Sequence, residues 1–316
     1  MTKTKNRPST HGSAGQINPR QACPCGSGKR YKACHGDPGG TRDVIVSRPF
    51  EGLAAERQLI ALREFVPSAT APLPLAQPGD RDVTLASLLP GAAAGVVRPD
   101  GTALVAMQVL TRSGDLSRDV GRAVRWAQSA TPGSVLPVTD TTADGEQVRL
   151  QDLLRPDAVL EITMYPDFAW WVPGESPTGD AAAALKQANE AIMPTEPVTG
   201  TGVEVAYWTD AGEKAHLRWI RQEPEEQLLA ALARLAAREE LDLGAGSRFA
   251  GSFRAHGVLV PVWDLDREQH AREWTTPAES FAQRLTQALS SLPSTPLTDP
   301  ERRALRALHS RQLTLR

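Results

Sequence analysis

The residues best suited to chemistry are crowded into one stretch, "CPCGSGKRYKACH", from Cys23 to His35. It holds all three cysteines of the 316-residue chain and one of its six histidines. The spacing is C-x-C-x8-C-H. A disulfide between Cys23 and Cys25 would close a tight, strained ring and leave Cys34 over. Three thiolates and one imidazole instead make a tetrahedral set that Zn²⁺ accepts without redox cost. Pro24 stiffens the step between the first two ligands. Gly26 and Gly28 let backbone amides turn toward the sulfurs. "GKRYKACH" fits a short helical turn, with Gly36 as its cap, that returns Cys34 and His35 to the metal. Lys29, Arg30 and Lys32 offset the net negative charge of the metal with three thiolates. "GSGK" is no phosphate loop, because the positions that should hold glycine and Ser or Thr are Cys23 and Arg30.

Four protein ligands close the coordination sphere, so the site reads as structural, with one Zn²⁺ at Cys23, Cys25, Cys34 and His35. Structural zinc contributes about 10–16 kcal/mol of apparent binding energy in small modules, in place of a core that so short a segment lacks. The surface left for contact is Lys29, Arg30, Tyr31 and Lys32.

"INPRQACPCGSGKRYKACHG" resembles the SEC-C motif, the zinc-binding tail at the C-terminus of the SecA translocation ATPase. The resemblance implies zinc ligation by the same four residues and a role in docking a protein partner. In SecA the tail docks the export chaperone SecB; here it lies at the opposite end of the chain. No Walker signature accompanies it.

Charge is divided unevenly. Residues 1–48 carry nine Lys and Arg against Asp37 and Asp43, so a head of +7 stands on a remainder of −9, within a chain of net charge −2. A basic head admits a second reading, binding to nucleic acid or the ribosome. No stretch approaches the roughly 20 apolar residues of a membrane span. The polar, basic start lacks the apolar core of a secretory signal. The expectation is a cytoplasmic protein.

The elements that must position this module follow a glycine-rich linker. The expected plan is a basic tail at 1–19, the zinc module at 20–37, a linker at 38–48 and a body at 49–316. The body either forms one unit or divides into halves near 49–195 and 196–316. "LAAERQLIALREFV" (53–66) has helical periodicity and stops at Pro67. Residues 67–80 read as extended. Beyond them four β-hairpins are expected, turning near 100, 167, 211 and 256, each followed by a helix. The second helix of this series spans about 180–192. The fourth carries a capping box with Thr276 as cap, Pro277 first and Glu279 third. A last helix starts at Thr298, with Glu301 in the same relation. The fold class is therefore α+β, a small zinc module joined to about four hairpin–helix units with mostly antiparallel sheet and helices on one face. "GSRFAGSFRAHGVLVPVWDL" and the closing "RQLTLR" are similar to an actinobacterial family that joins a SEC-C motif to a domain without an assigned activity.

Within the body, His256, Asp264 and Asp266 are the best acid–base candidates, and an enzymatic site there is the third functional reading. All three sit where turn formers are expected anyway. His216 fits a half-buried strand position, and His270 and His309 lie in charged stretches. Trp170 and Trp171, neighbours in "AWWVP", would project from opposite faces if that segment is a strand. No G-x-S-x-G, H-E-x-x-H or kinase-like set appears, and a thiol nucleophile in the body is excluded by composition.

Overall fold

The computed structural model describes residues 45–109, 113–138, 148–172 and 177–310. The residues of the zinc module and the basic tail lie outside these ranges.

Helix α1 (Glu56–Glu64) buries Leu59, Ile60, Ala61 and Leu62 together. Its C-terminal carbonyls would be orphaned, and Gln108 answers one of them: its Nε2 donates to Leu62 O at 3.0 Å and, two residues past the helix, to Val66 O at 2.6 Å. Pro67 follows and prevents continuation.

The first sheet has six short strands: β1 (Ala69–Pro72), β2 (Val83–Ala86), β3 (Gly95–Val97), β4 (Ala103–Ala106), β5 (Val135–Leu136) and β6 (Thr163–Met164). Their order is β5-β3-β4-β2-β1-β6. Every pair is antiparallel except β2 with β4. The hairpin expected near residue 100 is β3–β4, with Gly95 opposite Val105 and Gly101 at φ +89° in the turn. Helix α2 (Leu116–Ser129) follows it, capped by Asp115, and buries Leu116, Val120, Ala123, Val124 and Ala127 as its periodicity predicts. Gly121 lets the chain pass closely: a Cβ there would stand 2.6 Å from Val148 O.

The hairpin expected near residue 167 does not form. Strand β6 is only two residues long and pairs with β1. The chain then enters a 3-10 turn at Ala169–Trp171. Asp167 Oδ1 accepts the Ala169 amide at 2.8 Å, which favours a turn over an extended chain. Trp170 and Trp171 are both half-buried. The first donates to Ser68 Oγ at 2.9 Å and the second to Leu88 O at 3.0 Å. The pair therefore anchors a loop across the first sheet, where Trp170 covers a small core of Ala86, Leu89, Ala93, Leu104, Ala106 and Val109. Helices α3 (Leu150–Leu153) and α4 (Gly179–Glu190) flank this loop in sequence.

The second sheet has five longer strands: β7 (Thr195–Gly200), β8 (Val203–Asp210), β9 (Ala215–Trp219), β10 (Ser247–Ala255) and β11 (Val258–Leu265). The order is β10-β11-β9-β8-β7, antiparallel throughout. Both hairpins expected here are present, β8–β9 and β10–β11. Strand β7 escaped the sequence reading because Pro197 interrupts it, and its edge position is where a sheet tolerates proline.

Helices α5 (Glu225–Ala236), α6 (Thr275–Ser291) and α7 (Asp299–Ser310) complete the chain. Helix α6 begins at Thr275, running directly out of a 3-10 turn at Ala271–Trp274. The expected box at Thr276 is accordingly not made, and Glu279 Oε1 accepts the Thr201 amide at 2.6 Å instead. The box at α7 is made: Thr298 N reaches Glu301 Oε2 at 2.8 Å.

Strand β11, "VLVPVWDL", explains its unbroken apolar run by facing two cores. Val258, Val260 and Val262 join a core with α1, α2 and strands of the first sheet. Leu259, Trp263 and Leu265 join the core under α5 and α6. Helices thus lie on both faces of the second sheet. Phe65, just beyond α1, packs edge-on against Phe253 of β10 at 5.8 Å between ring centroids. The class is α+β with two mostly antiparallel sheets. Among the described residues no helix is long and apolar enough to cross a membrane.

Candidate functional site

A cluster of titratable groups lies across the end of the second sheet. Strand register places Arg248 of β10, Asp264 of β11 and His216 of β9 side by side in one row. Lys214, just before β9, closes it. Asp264 Oδ2 receives Lys214 Nζ at 2.8 Å and Arg248 NH2 at 3.0 Å, and its Oδ1 stands 3.3 Å from His216 Nδ1. Burial works against the Asp264 charge, but the hydrogen bonds from Lys214 and Arg248 outweigh it and hold the carboxyl below its ordinary value. His216 moves down as well. Desolvation disfavours its cation more than Asp264 favours it, and Arg218 and Lys214 add repulsion. Near neutral pH the cluster is an ionised carboxylate between two cations and a neutral imidazole.

An adjoining surface cavity of ≈ 620 Å³ is framed by the turns that carry Gly212, Gly246 and Asp266. Ser247 lines it, but its hydroxyl is engaged within its own turn. It donates to Gly244 O at 2.7 Å and accepts the amides of Leu243 and Gly244. The local arrangement is an acid held ionised beside a histidine that could take up a proton.

The structure separates the acid–base candidates read from the sequence. Asp264 belongs to the cluster. Asp266 accepts the Glu268 amide at 3.0 Å in the following turn. His256 sits at the β10–β11 turn with φ +47° and meets neither aspartate. Its Nε2 lies 2.7 Å from Glu64 Oε1, and its ring stands 5.9 Å from that of Phe50. That contact lowers the Glu64 pKa against the opposing effect of burial, and it ties the hairpin turn to α1. His270 pairs with Glu196 at 2.9 Å and lies against Trp208, while His309 is exposed on α7. The partner of Asp264, His216, was legible only as a strand residue. Its alternation with Ala215, Leu217 and Trp219 set its face, but the pairing depends on register between distant strands.

Cys23, Cys25, Cys34 and His35, and the contact residues Lys29, Arg30, Tyr31 and Lys32, lie outside the described residues. Among the described residues no group of three or more His, Cys, Asp or Glu is placed to hold a metal ion.

The architecture is that of an α+β protein with two sheets sharing a core, preceded by a cysteine–histidine cluster. The model of a family of unknown function, DUF5926, matches residues 49–316, and the chain belongs to that family. The SEC-C motif model matches residues 20–37. No curated protein and no solved structure matches the chain.

Proposed function

We propose that the chain is a zinc-binding interaction protein of the cytoplasm, an adaptor that docks a protein partner through its SEC-C module. The observation that carries this reading is the SEC-C match over 20–37, which contains Cys23, Cys25, Cys34 and His35 at the C-x-C-x8-C-H spacing. Three thiolates and an imidazole suit zinc as a donor set. Bound there, the metal supplies folding energy and no open coordination position. Lys29, Arg30, Tyr31 and Lys32 are then the surface offered to the partner. The basic head around them favours an acidic protein face. The polar side chains of the body support a scaffolding role, because Asp264 with Lys214, His256 with Glu64 and His270 with Glu196 each join separate elements.

The test is the Cys34→Ser variant. Affinity capture from the native cell, with zinc measured by mass spectrometry, should lose metal and partner together while the melting of the body is unchanged. A metal-free variant that captures the same partner defeats the proposal. Capture abolished by nuclease treatment favours nucleic-acid or ribosome binding through residues 1–48.

A further inference from the structure

The body is acidic overall, yet its last stretch is basic. From Asp299 onward the sequence holds Arg302, Arg303, Arg306, Arg311 and Arg316 against Asp299 and Glu301. Both acids are engaged, Glu301 by Arg234 and Asp299 by Arg302. Arg303 and Arg306 are exposed and enter no ion pair among the described residues. They lie on the turn of α7 that also supplies one wall of a groove.

That groove, ≈ 770 Å³, runs between α7 and β10. Ala304, Ala307 and Leu308 form the α7 wall, Ala236 and Leu241 one end, and Phe249 the β10 side. Arg303 precedes Ala307 by four residues, so the two share a helix face. Strand β10 is the last strand of its sheet, and its outer edge pairs with no other strand among the described residues. Arg248, with its side chain 72% exposed, stands on the opposite side from α7. An apolar trough thus carries unpaired cations along its α7 rim, while Arg248 across it is held by Asp264.

We propose that this groove is a second docking surface, distinct from the zinc module, for a short acidic peptide segment of a partner protein. Apolar side chains of the peptide fill the trough between Leu308 and Phe249, and its carboxylates meet Arg303 and Arg306. Charge of this sign selects the partner more than it sets the affinity. A polyanionic strand fits less well, because Asp242 and Asp264 also line the groove and would face a continuous phosphate backbone, whereas a peptide sets apolar side chains in the trough and confines its carboxylates to the α7 rim.

The probe is a random heptapeptide library displayed on phage, selected on the full zinc-loaded chain. Enriched peptides should combine Asp or Glu with Leu, Val or Phe. The most enriched one, synthesised with a fluorophore, should lose about tenfold in affinity for the Arg303→Glu, Arg306→Glu double variant. It should lose at least as much for Ala307→Trp, which plugs the trough. Both changes are at exposed positions, and circular dichroism checks that the variants are folded. Binding to Cys34→Ser should be unchanged, so this proposal can fail or hold independently of the zinc reading. Basic or uncharged enriched peptides overturn it. So do full binding to both groove variants, loss of binding in Cys34→Ser, and displacement by a single-stranded oligonucleotide at or below the peptide's concentration.

Discussion

Arg234 of α5 and Glu301 of α7 form an ion pair inside the protein, 3.0 Å apart, with side chains only 2% and 9% exposed. Arg234 also donates to Thr295 O at 2.7 Å and to Ser291 Oγ at 2.5 Å. Glu301 accepts the Thr298 amide that starts α7. One carboxylate therefore both begins the last helix and fastens it to the helix beneath.

Glu301→Ala leaves a buried guanidinium without its counter-charge and should cost about 3–5 kcal/mol in urea unfolding. The double variant Arg234→Met, Glu301→Leu removes both charges and should recover much of that loss. A single variant as stable as the parent would show that water reaches this pair.

Acid should weaken the fold in two windows. Desolvation lowers the His216 pKa, so the unfolded chain takes up its proton first, near the ordinary value of 6.5. Stability from this group is present above pH 6.5 and falls as pH drops from there toward the folded value. His216→Gln should flatten the melting-temperature profile in that window.

The second window belongs to carboxylates. The His256 contact depresses the Glu64 pKa. For Glu301, burial opposes ionisation, but the Thr298 amide and Arg234 together outweigh it. Their stabilisation is present above the ordinary value of 4.5 and disappears as pH falls through the folded values. Glu64→Gln should reduce the loss of melting temperature below pH 4.5, and an unchanged slope would deny the His256–Glu64 contact this role.

Gly121→Ala should destabilise the body by about 1–3 kcal/mol, since the added methyl meets the Val148 carbonyl and α2 must shift away. Chemical denaturation reads the effect, and a variant as stable as the parent would show that α2 has room for the methyl.

Full metal loading should give one zinc per chain, and Cys23→Ser or His35→Ala should lower it at a fixed chelator concentration. Elemental analysis after dialysis is the check. Two equivalents, or loading indifferent to these changes, would contradict a single site of four ligands.

Much of the body was legible because its signals are local. Pro99-Asp100-Gly101 and His256-Gly257 mark turns between apolar segments, and β3–β4 and β10–β11 form there. The helix after each hairpin follows from its apolar spacing. The misreadings share a different cause. "DFAWW" has the composition of a strand, but Ser68 and Leu88, far away in sequence, take its indole N–H groups and hold it as a turn. Glu279 fits a capping box locally, yet a partner in another loop claims it. The row of Arg248, Asp264 and His216 depends on strand register, which no single segment encodes.

The double-sided burial of β11 also bears on dissecting the chain. A fragment beginning near residue 196 would retain the core under α5 and α6 but present Val258, Val260 and Val262 to water, along with Phe253 and Ile220. That stripe would drive the fragment to self-associate. Heating or denaturant should accordingly dismantle both sheets of the intact body in one transition, with tryptophan fluorescence and backbone dichroism changing together.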